Sequence, residues 1–352
     1  MKVDYLIVGQ GLAGSLLAWQ LLERGQRVLV IDRDEPDTCS KVAAGIVSPI
    51  TGSRIAPSWR INEFLPFAHQ FYWKIEEQLG EKFFHHTRIA RLFREEKQQV
   101  RWEKLKVEQA ENITPYVSDD PFQVDNAVFH NDLGGFEMSQ AGWLDVPAFL
   151  RATQLHLLER LGFAIGKLNA EDVNVDHEGL KWKNIEAKSI IFAQGWEGNR
   201  NRFFDFMPMN GTKGEILEIE CNDVAAAAET RIVNREGWVL PLGNGKFRVG
   251  SNYDREFENA GPTEAGKQAV TERVSQFFKP EFSVTDHRAA IRPVIRQSRA
   301  VIGRHPEFVR VAFFNGLGSK GVMNGPFIAN QLAEHLVYGE PIDDDLDLRK
   351  NY

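Results

Sequence analysis

The sequence contains little cysteine and no long hydrophobic run. Its two cysteines among 352 residues, Cys39 and Cys221, stand far apart and in no spacing typical of metal ligands. We therefore predict neither a disulfide framework nor a metal site, and a reducing compartment fits this composition. The apolar runs are too short for a membrane span. The first strand begins at residue 3, which leaves no room for a signal peptide, so the expected location is cytoplasmic.

Basic residues are also fewer than acidic residues. Lysine and arginine number 42 against 49 aspartates and glutamates, which gives a formal net charge of -7. This balance argues against a nucleic-acid-binding surface over the whole molecule, although not against a local basic patch. The stretch from Arg88 to Lys106 is rich in basic residues, but glutamates are interleaved with them, which is typical of a solvated face.

A strand, a glycine-rich turn and a helix open the chain. A short apolar run precedes the G-x-G-x-x-G pattern of residues 9–14, and a second apolar strand ends in Asp32. In such a βαβ unit Gly9 permits the tight turn, Gly11 lets a pyrophosphate approach the backbone, and Gly14 lets the helix pack closely on the strand. Backbone N–H groups at the start of the helix face the phosphates, and Asp32 accepts hydrogen bonds from ribose hydroxyls. This context predicts a dinucleotide half-site rather than an ordinary glycine-rich turn.

The later sequence predicts an α/β protein with an inserted antiparallel sheet. Residues 206–284 alternate like antiparallel strands, and a hairpin is expected around His177-Glu178-Gly179. The chain then returns to an α/β pattern that ends in a second glycine-rich turn, residues 316–321, and a last helix. We assign the nucleotide-binding, Rossmann-like domain to residues 1–78, 143–205 and 285–352, and the substrate-binding domain to residues 79–142 and 206–284.

Together these parts resemble the D-amino-acid oxidase superfamily of FAD-dependent oxidoreductases, which includes glycine and sarcosine oxidases, over essentially the whole chain. Residues 40–46 are similar to the small-residue segment that passes along the flavin in glycine oxidase. Residues 291–293 are similar to the segment whose arginine holds the substrate carboxylate, and residues 316–321 to the family's C-terminal flavin-binding turn. Residues 237–241 and 249–253 also resemble the oxidase half of the bifunctional enzyme that modifies the wobble uridine of tRNA, a half that removes a carboxymethyl group.

The resemblance implies non-covalently bound FAD as the cofactor. Gly9, Gly11, Gly14 and Asp32 would hold its ADP part, with Arg33 beside the adenosine. No cysteine or histidine stands out as a covalent anchor. The other implied FAD residues form three groups. Along the adenine and nucleotide would lie Val173, Ala193 and Gly195, and along the flavin and its linker Ser40, Ala44, Gly45 and Ile46. At the N1/O2 side of the flavin, where the dipole of the last helix favours negative charge, would lie Gly318, Ser319, Lys320, Gly321 and Val322.

For the substrate, the resemblance assigns a carboxylate clamp to Arg292, because a planar guanidinium matches two carboxylate oxygens. Trp238 occupies the position of a substrate-lining tyrosine, whose hydroxyl an indole cannot supply. Lys320 would meet flavin, substrate or solvent. An ordinary ion-pair role for Arg292 and a core role for Trp238 stay open.

The implied reaction is the oxidation of a C–N bond in a small amino acid or secondary amine that carries a carboxylate. A hydride passes from the C–H beside a neutral amine nitrogen to flavin N5, and the imine then hydrolyses to a carbonyl product and a released amine. This chemistry needs no dedicated base, so no catalytic side chain is assigned. Dioxygen or another acceptor would reoxidise the flavin.

Three other functions stay open. Action on a carboxymethylaminomethyl uridine in tRNA is favoured by the C-terminal resemblance and the basic stretch, and is opposed by the net charge of -7. A nicotinamide-dependent enzyme would share residues 1–32 but would leave Arg292 and residues 316–321 without a role. A non-catalytic flavin-binding module would be favoured by the loss of Arg292, which is present.

Overall fold

A computed structural model describes the secondary structure of residues 1–175, 179–295 and 299–352. The strands, numbered along the chain, are β1 (Lys2–Val8), β2 (Val28–Asp32), β3 (Ile46–Val47), β4 (Ile50–Thr51), β5 (Ala56–Pro57), β6 (Phe84–His86), β7 (Ile89–Leu92), β8 (Gly135–Met138), β9 (Gly142–Leu144), β10 (Phe163–Ile165), β11 (Asn174–Val175), β12 (Leu180–Trp182), β13 (Ile185–Phe192), β14 (Asn210–Glu220), β15 (Ile232–Asn234), β16 (Trp238–Gly243), β17 (Lys246–Gly250), β18 (Ser283–Val294), β19 (Val301–Arg304) and β20 (Val311–Asn315). The α-helices are α1 (Leu12–Glu23), α2 (Cys39–Val42), α3 (Ile61–Leu79), α4 (Glu96–Glu108), α5 (Ala110–Ile113), α6 (Val146–Leu158), α7 (Val224–Ala228), α8 (Glu264–Ser275), α9 (Gly321–Tyr338) and α10 (Leu348–Asn351).

A mostly parallel sheet forms the first layer. Its order is β10-β2-β1-β13, with β20 also parallel to β13, while β12, β11 and β19 extend it as antiparallel members. The inner strands are almost wholly apolar because both faces are covered. On one face, Leu16 of α1 and Leu332 of α9 belong to the same buried core as Ile7 of β1. The carboxyl ends of β1, β2 and β13 meet at one edge, and the predicted α/β class is confirmed.

The second layer is a seven-stranded sheet in the order β18-β14-β17-β16-β15-β7-β8. Its neighbouring strands are antiparallel except β15 and β7, which are parallel. It joins strands from residues 79–142 and 206–284. It also includes β18, up to Val294, so the sheet continues past residue 284, where the sequence placed a domain boundary. The apolar alternation of β18 suits either sheet, and only its pairing with β14 decides between them.

Several local sequence signals match the structure. The apolar periodicity of residues 58–79 predicts a long amphipathic helix, and the structure contains α3, Ile61–Leu79, in this segment. Strands β11 and β12 pair as the predicted hairpin, whereas residues 176–178, which include His177 and Glu178 of its turn, lie outside the described residues. No helix in the described ranges has the length and apolar character needed to cross a membrane.

A buried network of charges joins the seven-stranded sheet to α8. The side chains of Lys213 and Glu215 are 2% and 1% exposed, and Nζ of Lys213 lies 3.2 Å from Oε1 of Glu215. Oε2 of Glu215 accepts a hydrogen bond from the backbone N–H of Thr263 at 3.0 Å and lies 2.7 Å from Nε2 of His287. Because a buried carboxylate is costly without partners, these contacts fix the start of α8 against β14.

Acid is expected to weaken the fold through Glu215. Burial acts to raise the pKa of this carboxyl, but hydrogen bonds from Thr263, His287 and Lys213 outweigh burial and hold the pKa below its ordinary value of 4.5. A carboxyl with a lowered pKa stabilises the fold above that ordinary value, and the contribution is lost as the pH falls through the folded-state pKa. We therefore expect the free energy of unfolding in urea to decrease below pH 4.5.

The variant Glu215→Gln tests this source of acid sensitivity. It should show a smaller loss of unfolding free energy between neutral and acid pH than the wild type. Glu218→Gln is the matched control, because Glu218 lies on the same strand and its side chain is 38% exposed. It should keep the wild-type loss. An undiminished loss in Glu215→Gln would show that other groups cause the acid sensitivity.

Candidate functional site

A large cavity lies between the two sheets. Its volume is about 920 Å³, which suits a small-molecule or cofactor site. Its walls are the carboxyl edge of the parallel sheet, the segment around α2, the start of α9 and one face of the seven-stranded sheet. The predicted site residues that line it are Gly9, Gly11, Asp32, Arg33, Ser40, Ala44, Gly45, Ile46, Ala193, Gly195, Trp238, Arg292, Gly318, Ser319, Lys320, Gly321 and Val322.

Two predicted cofactor residues, Gly14 and Val173, are not part of the cavity lining. A Cβ at Gly14 would lie 1.9 Å from the carbonyl oxygen of Gly9, so Gly14 serves the close packing of the turn. Val173 is 1% exposed and packs in the core. Lys167 and Leu168 line the cavity instead, because they follow the carboxyl end of β10.

The first glycine turn has the backbone geometry that a dinucleotide requires. Gly9 has a φ of +104°, and a Cβ there would lie 2.4 Å from the carbonyl oxygen of Ala193. Gly11 differs, because the only atoms near a Cβ at this position would belong to the Ser40 side chain, with Oγ at 3.1 Å. Gly9 is therefore required by the fold, whereas Gly11 leaves room on the cavity side for a phosphate to approach the backbone.

Asp32 and Arg33 follow at the end of β2. The two carboxylate oxygens of Asp32 accept hydrogen bonds from the backbone N–H groups of Gln10 and Asp34, each at 2.6 Å. Further lone pairs on these oxygens remain to accept hydrogen bonds from ribose hydroxyls. The guanidinium of Arg33 forms an ion pair with Glu197 at 2.7 Å. The residues of this edge therefore fit the ADP part of FAD.

The small-residue segment after β2 passes close to neighbouring backbone. Oγ of Ser40 accepts a hydrogen bond from the backbone N–H of Leu12, the first residue of α1, at 2.9 Å. This places the Ser40 hydroxyl at the phosphate end, whereas the sequence grouped it with the flavin segment. Gly45 has a φ of +71°, and a Cβ there would lie 2.0 Å from the carbonyl oxygen of Leu144. Only glycine therefore fits at this turn before β3.

The start of α9 faces the cavity without a side-chain cap among the described residues. Asn315 ties the second glycine turn to the parallel sheet, because its Nδ2 donates to the carbonyl oxygen of Gly195 at 2.7 Å. Gly318 has a φ of +60° and lets the turn lead into the helix. The positive end of the helix dipole suits the N1/O2 side of a flavin.

Lys320 immediately precedes α9 and points to the region of the β4–β5 hairpin. Its Nζ donates to Oγ1 of Thr51 at 2.8 Å and to Oγ of Ser58 at 3.2 Å. Burial lowers the pKa of Lys320. Both acceptors are neutral hydroxyls, so these contacts leave the ammonium charge able to stabilise negative charge in the cavity.

Arg292 lies on β18 and carries an unsatisfied donor. Its Nη2 donates to Oγ of Ser251 at 3.0 Å, whereas its Nη1 is buried with no hydrogen-bond partner among the described residues. The ring of Tyr253 lies 4.4 Å from the guanidinium carbon. Gly214 makes room for this arrangement, because a Cβ there would lie 2.0 Å from Nη2. A buried, unpaired guanidinium donor in a cavity wall suits an anion such as a carboxylate.

The loop after β17 is anchored on both sides of Tyr253. Oδ1 of Asn252 accepts a hydrogen bond from the backbone N–H of Glu215 at 2.7 Å. The backbones of Asp254 and Lys213 exchange hydrogen bonds of 2.9 and 2.8 Å. Tyr253 itself remains 63% exposed. The loop therefore has a fixed backbone and one protruding aromatic side chain beside the guanidinium.

The sequence reasoning missed Ser251, Tyr253 and Gly214 as parts of this site. Ser251 and Tyr253 lie within residues 249–253, which carried a family resemblance but received no role. Their proximity to Arg292 depends on strand pairing that a single sequence does not reveal. The sequence did identify Trp238, which lines the cavity; its indole lies against Gly250 of the neighbouring strand β17, where an added Cβ would lie 2.6 Å from Cζ2 of Trp238.

Cys39 lies at the start of α2 and lines the cavity. Burial raises the pKa of its thiol, although the nearby charge of Arg292 acts in the opposite direction. Because the thiolate is the reactive form, we predict that Cys39 forms no bond to FAD. Acid denaturation should release the flavin into the supernatant and leave a denatured chain without flavin fluorescence. Flavin retained by the wild type and released by Cys39→Ser would contradict this prediction.

A glycine-rich turn at the edge of a parallel sheet, facing an arginine on an antiparallel sheet across one cavity, suits a dinucleotide-dependent oxidoreductase. Residues 4–335 match the sequence profile of the DAO family, described as FAD dependent oxidoreductase. The chain belongs to this family, and its cofactor is FAD.

Curated relatives include one of similar length and several longer ones. The chain is 24% identical over 377 residues to the uncharacterized oxidoreductase YurR of Bacillus subtilis (strain 168), with 97% of each chain covered. It is 23% identical over 319 residues to the tRNA 5-methylaminomethyl-2-thiouridine biosynthesis bifunctional protein MnmC of Legionella pneumophila (strain Corby). That match covers 86% of this chain and 45% of the bifunctional protein, so the chain spans less than half of that relative.

Solved structures share the whole fold. Iminodiacetate oxidase (IdaA) from Chelativorans sp. BNC1 has a TM-score of 0.78 at 18% identity, with 97% of this chain and 96% of that chain covered. Glycine oxidase from Bacillus cereus ATCC 14579 has a TM-score of 0.76 at 17% identity, with 96% of each chain covered. These matches confirm the predicted fold, in which a Rossmann-like α/β part is combined with an antiparallel sheet.

Proposed function

We propose that the protein oxidises the C–N bond of a small amino acid or secondary amine that carries a carboxylate. The observation that carries this proposal is the buried Nη1 of Arg292, which has no hydrogen-bond partner among the described residues and lies in a cavity wall. A substrate carboxylate would accept hydrogen bonds from Nη1 and from Nη2, in competition with Ser251 for the latter. The solved structures support the same class, since two of them are named as oxidases of iminodiacetate and of glycine.

The chain's contribution to the reaction is to bind, orient and shield the substrate. Arg292 fixes the carboxylate, while Trp238 and Tyr253 supply aromatic surface that limits access of water. When bound, FAD would supply the acceptor for the hydride that leaves the carbon beside the nitrogen. Water then adds to that carbon and the C–N bond breaks, which gives a carbonyl product and a free amine. No side chain is required to act as the base when the amine binds in its neutral form.

An anaerobic spectral assay tests this function. The FAD-loaded protein is mixed with glycine, sarcosine, proline, D-amino acids and a glycine-modified uridine, and loss of the visible flavin absorbance is followed. Bleaching by an amine with a carboxylate, but not by its decarboxylated analogue, is the expected result. If the decarboxylated analogues bleach the flavin equally well, Arg292 does not hold a carboxylate and the proposal is wrong.

Oxidation of a carboxymethylaminomethyl group in tRNA is a second candidate, because the match to MnmC of Legionella pneumophila (strain Corby) covers 86% of this chain. The basic stretch supports it only in part. Lys104 pairs with Glu108 and Lys106 with Glu103 on α4, so these charges are balanced locally. Bleaching by the modified uridine or by tRNA that carries it, with no bleaching by free amino acids, would favour this candidate.

A further inference from the structure

The cavity continues along the seven-stranded sheet beyond Trp238. Trp238 on β16 is paired with Asn234 on β15, and Asn234 is paired with Arg91 on β7. Residues paired across strands share one face of a sheet, and all three line the cavity. Gly250 on β17 is paired with Trp238 and immediately precedes Ser251, the partner of the carboxylate clamp. Three strand spacings, about 14 Å, therefore separate the backbone near the clamp from that of Arg91.

Arg91 has no carboxylate partner among the described residues. Its guanidinium donates to Oδ1 of Asn234 and, at 3.5 Å, to the carbonyl oxygen of Gly52, and both acceptors are uncharged. Burial, together with the nearby charge of Arg94, lowers the pKa of Arg91 to about 10. A desolvated cation held only by neutral acceptors is electrostatically costly, and an anion bound beside it would relieve that cost.

The groups around Arg91 add no uncompensated negative charge. Arg94 also lines the cavity and forms an ion pair with Glu236 at 2.5 Å. Arg235 directs its Nη1 to the backbone oxygen of Gln276. Among the described residues, this end of the cavity therefore carries positive charge without a matching acid, in contrast to the Asp32 end.

We infer that the cavity contains a distal anion subsite, formed by Arg91 and flanked by Arg94, for a second anionic group of the substrate. The inference rests on the proposed function, because it places the first carboxylate at Arg292. The substrate is then an elongated low-molecular-weight amine with a carboxylate at one end and a carboxylate or phosphate at the other. Glycine and sarcosine are too short to reach both arginines, so they are expected to be weaker substrates than an elongated amine with two anionic ends.

Binding of unreactive thioethers to the FAD-loaded protein tests this subsite without turnover. The probes are carboxymethyl hexyl thioether and two analogues whose hexyl chain ends in a carboxylate or in a phosphate. Affinity is measured from the perturbation of the flavin absorbance. We expect at least one doubly anionic analogue to bind roughly tenfold to hundredfold more tightly than the neutral-ended thioether. The tighter of the two analogues identifies the anionic group that the subsite prefers.

Variants at Arg91 test whether this residue causes the preference for an anionic-ended probe. Arg91→Gln should abolish the difference between the anionic-ended and neutral-ended probes and leave the affinity of the neutral-ended probe unchanged, which also reports an intact fold. Arg91→Lys should keep part of the difference, because it keeps the charge. Lys97→Gln is the matched control, since Lys97 is exposed on α4 and does not line the cavity, and it should behave as the wild type.

The outcomes separate the subsite from the proposed function. If all three thioethers bind equally to the wild type, or if the preference for an anionic end survives in Arg91→Gln, the subsite at Arg91 is contradicted but the proposed function is not. Failure of all three to bind would contradict the carboxylate clamp at Arg292 and the subsite with it. A bound probe can also be displaced with tRNA and, separately, with free phosphate. If tRNA displaces it at a much lower concentration than phosphate does, Arg91 contacts nucleic acid, and the inference that the substrate is a small molecule is wrong.

Discussion

Replacing Arg292 by alanine is expected to lower the efficiency of flavin reduction by substrate roughly hundredfold to thousandfold. The guanidinium is held in place by Ser251 and by the ring of Tyr253, and its Nη1 has no partner among the described residues. A desolvated, hydrogen-bonded charge pair loses about 3 to 4 kcal/mol when one partner is truncated. The measurement is anaerobic stopped-flow reduction of the bound flavin, with the amine substrate found in the spectral assay.

Two further variants test whether the loss of efficiency is due to the guanidinium of Arg292. Arg292→Lys keeps a point charge but not the planar pair of donors, so it should recover only part of the efficiency. Arg255→Ala removes an exposed arginine of the same region that does not line the cavity, and it should reduce flavin at the wild-type rate. If Arg292→Ala retains wild-type efficiency with a carboxylate substrate, the clamp lies elsewhere.

Replacing Gly11 by alanine is expected to weaken FAD binding roughly hundredfold without unfolding the protein. Gly11 has an ordinary backbone, with φ −69°, and its Cβ would meet only the Ser40 side chain. The added methyl group would therefore occupy space at the phosphate end of the cavity rather than clash with the fold. Forced packing of this kind costs about 3 kcal/mol at the upper end of its usual range. Titration of apoprotein with FAD, followed by flavin fluorescence, measures the change.

Gly25→Ala is the matched control for Gly11. Gly25 has a φ of +70° in the turn after α1, and no atom of the described residues lies within 4 Å of the position of a Cβ there. It should lower stability by about 1 to 2 kcal/mol through its left-handed backbone but leave the affinity for FAD unchanged. If Gly11→Ala binds FAD as tightly as the wild type, the phosphates do not pass close to this turn.

The nucleotide half of the molecule could be predicted from the sequence because its signals are local. The strand, glycine turn, helix and second strand lie within residues 1–32, and a Cβ at Gly9 or Gly14 would clash with neighbouring backbone. The start of α9 was predicted for the same reason, since residues 316–321 form a turn directly before an apolar helix. In such units the order of residues along the chain fixes their order in space.

The substrate half could be predicted only in part because its geometry depends on pairing between distant strands. The sequence identified Arg292 and Trp238 by family resemblance. It assigned residues 285–294 of β18 to the nucleotide-binding domain, whereas this strand pairs with β14 in the seven-stranded sheet. Ser251 approaches Arg292 only because β14 lies between β17 and β18. Arg91 was assigned to a solvated basic stretch, since nothing local distinguishes an arginine that faces a cavity from one that faces water.

The doubly anchored loop around Tyr253 has a consequence for engineering the enzyme. Asn252 and Asp254 hold the backbone through β14, so the fold does not depend on the side chain between them. Directed evolution of substrate range would therefore start best from a saturation library at Tyr253, where new side chains alter the surface beside Arg292 while the loop backbone and the sheet stay in place.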